Sequence, residues 1–364
     1  MANSQIIPPG STIGMLGGGQ LGRMTILAAA ALGYKAHVFT DDPQAPAAQV
    51  AAKVTVAKFD DKAALESFGK SVEVVTFEFE NIPAQAVDIL SPIVPTHPSA
   101  KALRIAQDRV AEKKFVNGLD LFTTKWVSVE SLGQLQRALE AMDAPAILKS
   151  NRSGYDGKGQ VKIPQGGDAT EAWNRMGAPA GILEAIVDFE LELSVVLARG
   201  RDGRMVAYPA VENRHAEHVL AETVAPARIP ADVAAEAERV AKKIADALDI
   251  VGVLAVEMFM LPGGKLLVNE IAPRPHNSGH WTIDACMYSQ FEQFVRAVCG
   301  LPLGTAERHS DAIMTNLLGP AADGWRDYAA MENSKLHLYG KKDTKPGRKM
   351  GHVTTLFPKW ERPG

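Results

Sequence analysis

Short apolar runs and helical periodicities alternate along the first hundred residues. "STIGML" has the unbroken apolar character of a buried strand, and "GQLGRMTILAAAALG" has the spacing of a helix that stops at Gly33. "KAHVFTDD" is a second strand, and "AAKVTVAKF", a short helix near "DKAALESF" and the strand "VEVVTFEFE" follow. Strands and helices in turn predict a parallel sheet of the mononucleotide-binding kind. The proline-rich "SPIVPTHPSAKAL" closes that unit, and "KALRIAQDRVAEKKFVNGL" reads as one strong helix.

Beyond it come "TTKWVSV", a helix at "LGQLQRALEAM" and the run "PAILKSNRSGYDGKGQVKI". From about Ile182 the pattern is strand-rich, with a turn at Arg201 to Gly203. The helix "ADVAAEAERVAKKIADALD" precedes two strands, "VGVLAVEMFML" and "KLLVNEI", joined through Pro262-Gly263-Gly264. The last sixty or so residues read as short strands and turns with a basic tract. A chain of 364 residues with these pattern changes divides into two or three domains.

Composition narrows the function. At 46% hydrophobic, 22% charged and a formal net charge of -3, nothing indicates general affinity for nucleic acid or anionic membrane. No window approaches the roughly 18 apolar residues of a membrane span, and the first residues lack a secretory pattern, so a cytoplasmic setting is expected. Cys286 and Cys299 form no disulfide framework or metal cluster and read as buried thiols.

Two glycine clusters carry candidate chemistry. "GMLGGGQLGRM" contains G-x-G-x-x-G at Gly17, Gly19 and Gly22 between a strand and a helix, with Asp41 and Asp42 closing the next strand. That fits a dinucleotide fingerprint, but glycines at a helix start fit any phosphate, including a substrate's. Glu78 and Glu80 alternate to one face at a strand end, where they would meet ligand hydroxyls or an amine, or only solvent. The second cluster, "LKSNRSGYDGKGQ", places Lys149 at a strand end before Gly154, Gly157, Lys158 and Gly159. It reads as a flexible loop laying backbone donors and positive charge over a polyphosphate.

The acidic hairpin is sharper. With Gly263-Gly264 as the two central turn residues, Glu257 lies opposite Glu270 on one face. Two carboxylates in an apolar run are costly to bury unpaired, and a magnesium ion bridging phosphates needs such hard oxygens. Asn269 points to the other face of an ideal strand, yet strand ends twist, which leaves it able to supply an oxygen. His276 and His280 in "RPHNSGHW" lack a third soft ligand at zinc spacing. The run reads instead as an anion-binding turn, with Asn277 or Ser278 near the start of a helix beginning around Trp281 and Arg274 adding a bidentate contact.

Taken with "TFEFENI", "QDRVAEK", "EAIVDFELELSV", "YPAVENRH", "LLVNEIAPRPHNSGHWT" and "KPGRKMGHVT", these stretches resemble the ATP-grasp superfamily and, within it, the 5-(carboxyamino)imidazole ribonucleotide synthases. The resemblance spans Gly14 to Thr354. It implies an α/β fold with an N-terminal Rossmann-like domain (1–110), a split ATP-grasp domain (111–305, in parts of about 111–183 and 184–305) and a small C-terminal β-rich domain (306–364). It also implies an ATP-dependent carboxylating ligase, in all expectation a homodimer, with ATP and Mg2+ as cofactors and aminoimidazole ribonucleotide and bicarbonate as substrates.

The family's site residues carry over by position. Arg109 and Lys149 would face the ATP phosphates, with Gly154, Tyr155, Asp156, Gly157, Lys158, Gly159 and Gln160 closing above. Glu184, Ala185, Ile186 and Val187 would line the adenine pocket, and Glu192 would hold ribose hydroxyls. His215 would lie near the nucleotide, Asn269 near the phosphates, and Glu257 and Glu270 on the metal. The ribonucleotide would meet Gln20, Leu21 and Glu78 at the first glycine cluster, and Tyr155 and Asp156 from the loop. Arg274, His276, Asn277 and Ser278 would face it, with Lys341 and Arg348 on its 5'-phosphate. Asp156 and His276 would position or deprotonate the amine, and Lys158 and Arg274 would hold carboxyphosphate. Lys158 stands where many relatives have arginine, and Ser153 where a glycine is common; the charge is kept but a planar donor fork is lost. The rival readings are another ATP-grasp enzyme resembling glycinamide ribonucleotide transformylase, a nicotinamide oxidoreductase built on the first glycine cluster, and a nucleotide-binding regulator.

Overall fold

The computed structural model describes residues 6–152 and 159–359. The first unit comprises β1 (Thr12–Leu16), α1 (Gln20–Ala31), β2 (Lys35–Thr40), β3 (Lys53–Val56), α2 (Lys62–Gly69), β4 (Val74–Phe77) and α3 (Ala84–Leu90). Its strands lie in the order β3-β2-β1-β4, each pair parallel, as the alternating pattern predicts. Parallel strands covered on both faces need continuous apolar runs, and β4 is buried at all its positions. The strand is shorter than "VEVVTFEFE" promised. Pairing stops at Phe77, and Glu78 turns back toward the loop between β1 and α1.

The single helix expected over 101–119 is two, α4 (Ala100–Ala106) and α5 (Arg109–Asn117). Asp108 breaks it by leaving helical geometry to cap α5 through Ala111 N–H (2.9 Å). Gln107 reaches across to the carbonyls of Glu80 and Ile82. The apolar period passes through the break because Ala102 and Val116 bury into the same core. The break starts a fresh helix at Arg109.

A second unit follows: β5 (Trp126–Val129), α6 (Leu132–Met142), β6 (Ala146–Ser150), β7 (Gln160–Ile163), α7 (Ala169–Met176) and β8 (Gly181–Ala185). The strands form an antiparallel sheet, β5-β8-β6-β7. Ser131 and Asp168 cap the two helices, whose apolar faces cover that sheet.

The remaining elements are β9 (Leu191–Arg199), β10 (Met205–Ala207), β11 (Val211–Ala216), β12 (Val219–Ala225), α8 (Ala231–Ala247), β13 (Gly252–Met260), β14 (Leu266–Ala272), α9 (Thr282–Ala285), α10 (Gln290–Cys299), β15 (Asp311–Leu318), α11 (Trp325–Ala329), β16 (Ser334–Leu338) and β17 (Lys349–Phe357). Their strands make one nine-stranded sheet, in the order β14-β13-β9-β11-β12-β15-β17-β16 with β10 on β9. The C-terminal strands therefore prolong the same sheet. Helix α8 packs in one core with Leu193 and Val195 of β9 and with Leu254 and Val256 of β13. Helix α10 packs in another that also takes in Ile13 and Val74 of the first unit and Met314 of β15.

The β13–β14 hairpin departs from the two-residue turn. Leu261 N–H bonds the Lys265 carbonyl (2.9 Å), so Pro262, Gly263 and Gly264 form a three-residue loop. Both glycines have positive φ, which a side chain resists. Met258 then pairs with Val268 but Glu257 with Glu270, so Asn269 is the extra residue of a β-bulge. The bulge restores the pairing of the two carboxylates and re-aims Asn269, which lines the cleft alongside them.

Candidate functional site

A cleft of about 1530 Å3 opens between the first unit, the four-stranded sheet and the nine-stranded sheet. That exceeds the roughly 300–1,000 Å3 of a pocket for one drug-sized ligand. One end is lined by Lys149, Gln160, Glu184, Ala185, Ile186, Val187, Glu192, His215, Asn269 and Glu270, and the other by Gln20, Leu21, Arg274, His276, Asn277, Lys341 and Arg348. Arg109 and Glu257 stand on its wall as well.

At the first end, buried charges are paired in a chain. Lys149 donates to Glu184 (2.7 Å), and Lys113 approaches the other oxygen of Glu184 (3.7 Å). Burial alone would raise the Glu184 carboxyl, but Lys149 and Lys113 hold it below the ordinary value. Arg109 approaches Glu270 (3.4 Å). Glu112 accepts Ile271 N–H and Lys113 donates to the Asn269 carbonyl, both at 2.6 Å. Consecutive side chains of α5 thus grip the peptide groups on either side of Glu270. Phe189 and Phe259 stack with centroids 4.7 Å apart beside Ile186 and Val187, giving this end an apolar slot.

Glu257 faces Glu270 across the strand pair, and its carboxyl is pushed up to about 8 by burial and then by that like charge. His276 Nε2 lies 3.3 Å from Glu257. Two paired, partly buried carboxylates with Asn269 beside them are a hard-oxygen set suited to a magnesium ion that takes its other ligands from phosphate and water. His215 pairs with Glu192; burial would lower the imidazole, but this carboxylate raises it.

At the second end the glycine loop departs from the sequence-based expectation. Gly22 N–H donates to Glu78 (2.7 Å), and Gly19 N–H donates to its other oxygen. The carboxylate occupies the place that a phosphate would take, so these amides do not cradle a ligand. A Cβ at Gly17 would meet Glu78 Cγ at 2.6 Å, which explains glycine there by the approach of a protein side chain. Burial raises the Glu78 carboxyl, partly opposed by the two amides. Glu78 is 5% exposed and is not on the cleft wall. Glu80, by contrast, lines the cleft and pairs with Arg274, whose charge overrides burial and holds the carboxyl to about 2.

The "RPHNSGHW" run also differs from the expected helix start. Asn277–Gly279 is one 3₁₀ turn, capped by His276, and α9 is only a single turn. Ser278 is buried and turned inward to Ser194 (2.7 Å). Asn277 lines the cleft, and neither side-chain amide atom has a partner among the described residues. Lys341 bonds the Lys349 carbonyl (2.7 Å), and Arg348 bonds the Asp343 carbonyl (3.2 Å). Gly159 precedes β7 with positive φ and Ser150 against it, and does not line the cleft. Gly154, Tyr155, Asp156, Gly157 and Lys158 lie outside the described residues.

Family models match most of the chain: a ribonucleotide synthetase preATP-grasp domain at 11–107, an ATP-grasp domain at 114–291 and a phosphoribosylaminoimidazole carboxylase C-terminal domain at 312–362. The N5-carboxyaminoimidazole ribonucleotide synthase of Brucella melitensis is 47% identical over 97% of this chain and 98% of its own. The chain belongs to the N5-carboxyaminoimidazole ribonucleotide synthase family. The bifunctional purine synthesis protein of Dictyostelium discoideum is also 47% identical over 96% of this chain, which spans only 37% of that longer protein. Among solved structures, the Staphylococcus aureus N5-carboxyaminoimidazole synthetase bound to ADP superposes with a TM-score of 0.93, at 37% identity, covering 97% of this chain and 95% of that one. The Aspergillus clavatus synthase bound to ADP and 5-aminoimidazole ribonucleotide gives 0.90, at 30% identity, over 96% and 94%.

Sequence reasoning about this N5-carboxyaminoimidazole ribonucleotide synthase family member missed Glu112, Lys113, Phe189 and Phe259. Arg109, Glu112 and Lys113 sit three and four residues apart, the spacing of one helix face, which was a usable signal. Phe189 lies in the link between β8 and β9 and Phe259 in β13, 70 residues on, and no local pattern joins them.

Proposed function

We propose that the chain carboxylates the exocyclic amine of 5-aminoimidazole ribonucleotide with ATP and bicarbonate, giving 5-(carboxyamino)imidazole ribonucleotide, ADP and phosphate. The observation that carries this reading is the single cleft with a cation-rich wall at each end and the Glu257–Glu270 pair between them. ATP takes the end with the Phe189–Phe259 slot, Lys149 and Arg109, and the ribonucleotide takes the end with Arg274, Asn277, Lys341 and Arg348. Domain limits of 1–110, 111–305 and 306–364 belong to this reading and are supported by the spans of the matching family models.

Bicarbonate oxygen attacks the γ-phosphorus, and the bond to ADP breaks as carboxyphosphate forms. Arg109 and Lys149 offset charge on the phosphoryl oxygens. Glu257 and Glu270 would hold magnesium, which supplies further neutralisation of that charge when bound. Carboxyphosphate releases phosphate, the amine nitrogen bonds the carboxyl carbon, and the released phosphate takes the proton that the amine loses. Arg274, fixed by Glu80, faces the transferred group.

No helix among the described residues is long and apolar enough to cross a membrane. The two thiols are buried and unpaired, which supports a reducing, cytoplasmic setting. Homodimeric assembly rests on the family resemblance, and sedimentation tests it.

Labelled bicarbonate tests the reaction itself: label is expected in the imidazole nucleotide only when ATP is present, and its absence there contradicts the reading. Glu270→Gln is expected to lower kcat by about a hundredfold or more with the urea midpoint little changed. Near-normal turnover of that variant at ordinary magnesium would contradict the site assignment.

A further inference from the structure

Behind His276 a line of buried side chains crosses three adjacent strands. Thr223 of β12 donates to Asn213 Oδ1 of β11 (3.2 Å), and Asn213 Nδ2 donates to Ser194 of β9 (3.0 Å). Ser194 donates to Ser278 (2.7 Å), and Ser278 Oγ lies 2.8 Å from His276 Nδ1. Thr223, Asn213, Ser194 and Ser278 are each 4% exposed or less, so solvent does not compete for these groups.

The direction of such a chain is set by members that cannot reverse. A hydroxyl donates or accepts, an amide can be turned over, and an imidazole has two neutral tautomers. A backbone N–H only donates. The Ser278 N–H points at His276 Nδ1 (3.3 Å), which makes that nitrogen an acceptor. Ser278 Oγ must then give its proton to the same nitrogen and take one from Ser194. Ser194 takes one from the Asn213 amide, whose oxygen receives Thr223. In this one sense every position is satisfied, with the single lone pair of Nδ1 shared between the Ser278 N–H and the Ser278 hydroxyl. The imidazole proton is left on Nε2, 3.3 Å from Glu257 and on the cleft side.

We propose that the Ser278 backbone N–H fixes His276 as its neutral Nε2–H tautomer and that Ser194, Asn213 and Thr223 are positioning residues that reinforce it by keeping the Ser278 hydroxyl a donor to Nδ1, so that His276 meets the reactants as a hydrogen-bond donor and not as the base. The tautomer follows from the hydrogen bonds alone; its catalytic consequence rests on the carboxylation reading above. When Glu257 turns to other ligands, the Nε2–H is free to hold an oxygen of the carboxyl group in transfer. The proton lost by the amine then goes to the phosphate released from carboxyphosphate, which replaces the expectation that His276 removes it. In structures of this kind the partner of one ring nitrogen decides what the other can do.

Nitrogen NMR of the full chain labelled with 15N-histidine, without substrates, reads the tautomer directly, with His276→Gln assigning the signal. The expected result is a protonated Nε2 and a bare Nδ1. Ser194→Ala is expected to admit the other tautomer and lower kcat about tenfold, with the KM for ATP unchanged. Thr223→Val, nearly isosteric, should move both readouts in the same direction, and Thr223→Ser should restore them. A wild-type signal with the proton on Nδ1 overturns the proposal, as does Ser194→Ala with an unaltered spectrum and kcat. An inactive wild type with the Nε2–H signal would overturn the carboxylation reading and support the relay.

Discussion

Glu78 gives the glycine-rich loop of the first unit its purpose. The amides of Gly19 and Gly22 converge as they would on a phosphate, yet the anion they hold belongs to the protein. Replacing Glu78 by Ala strands both donors in a largely buried place, and a buried unsatisfied group costs about 1–3 kcal/mol. Urea unfolding is therefore expected to show Glu78→Ala less stable by that order, and an unchanged midpoint would contradict the account. The sequence made the close approach legible, because glycines at 17, 19 and 22 leave room for another group against the backbone. It could not name the occupant, which lies 59 positions away from Gly19.

At the scale of elements, the important device is helix α5 against the bulge in β14. A bulge leaves peptide groups out of the ladder, and here Glu112 and Lys113 take up Ile271 N–H and the Asn269 carbonyl. Glu112 is pushed up to about 8, first by burial, and Lys113 is pulled below its ordinary value by burial against the attraction of Glu184. Retaining ionisable groups in so buried a place costs stability, which argues that they hold Glu270 and Asn269 in place. Lys113→Met is expected to raise the magnesium concentration needed for half-maximal turnover about tenfold and to weaken Mn2+ binding in the presence of ADP. The KM for the ribonucleotide should stay as it is. Equal losses at both ends of the cleft would contradict this role. The Glu257–Glu270 pairing was legible from the glycine turn, although the turn is one residue longer than supposed. The pairing survives because the bulge adds a residue on the other strand. Neither change has a local signature strong enough to read alone. The helix break at Asp108 was obscured for another reason: both halves bury toward one core, so the apolar period never falters.

At the scale of the molecule, the nine-stranded sheet and the core beneath α10 join all three parts of the chain. Residues as distant as Ile7, Val74, Phe294 and Met314 share that core. The alternating pattern was enough for the parallel unit, but continuity of β12 with β15 was not foreseeable from local periodicity. One buried and one half-buried histidine should make stability depend on pH. His37, with Ser71 and Thr55 on its ring nitrogens, and His97 are both lowered to about 4, chiefly by burial. Between the ordinary value near 6.5 and about 4 the unfolded chain binds protons that the folded chain refuses, so stability falls as pH falls through that window. His37→Gln should flatten this slope in urea titrations. A slope identical to wild type would show that His37 does not contribute.

The most direct test of the central claim is ADP release from Mg-ATP, measured with and without bicarbonate, in the presence of 5-aminoimidazole ribonucleotide or glycinamide ribonucleotide. The cleft as read here predicts strong stimulation by the imidazole nucleotide with bicarbonate, and none by glycinamide ribonucleotide. Stimulation by glycinamide ribonucleotide alone would contradict the assignment of the second end of the cleft.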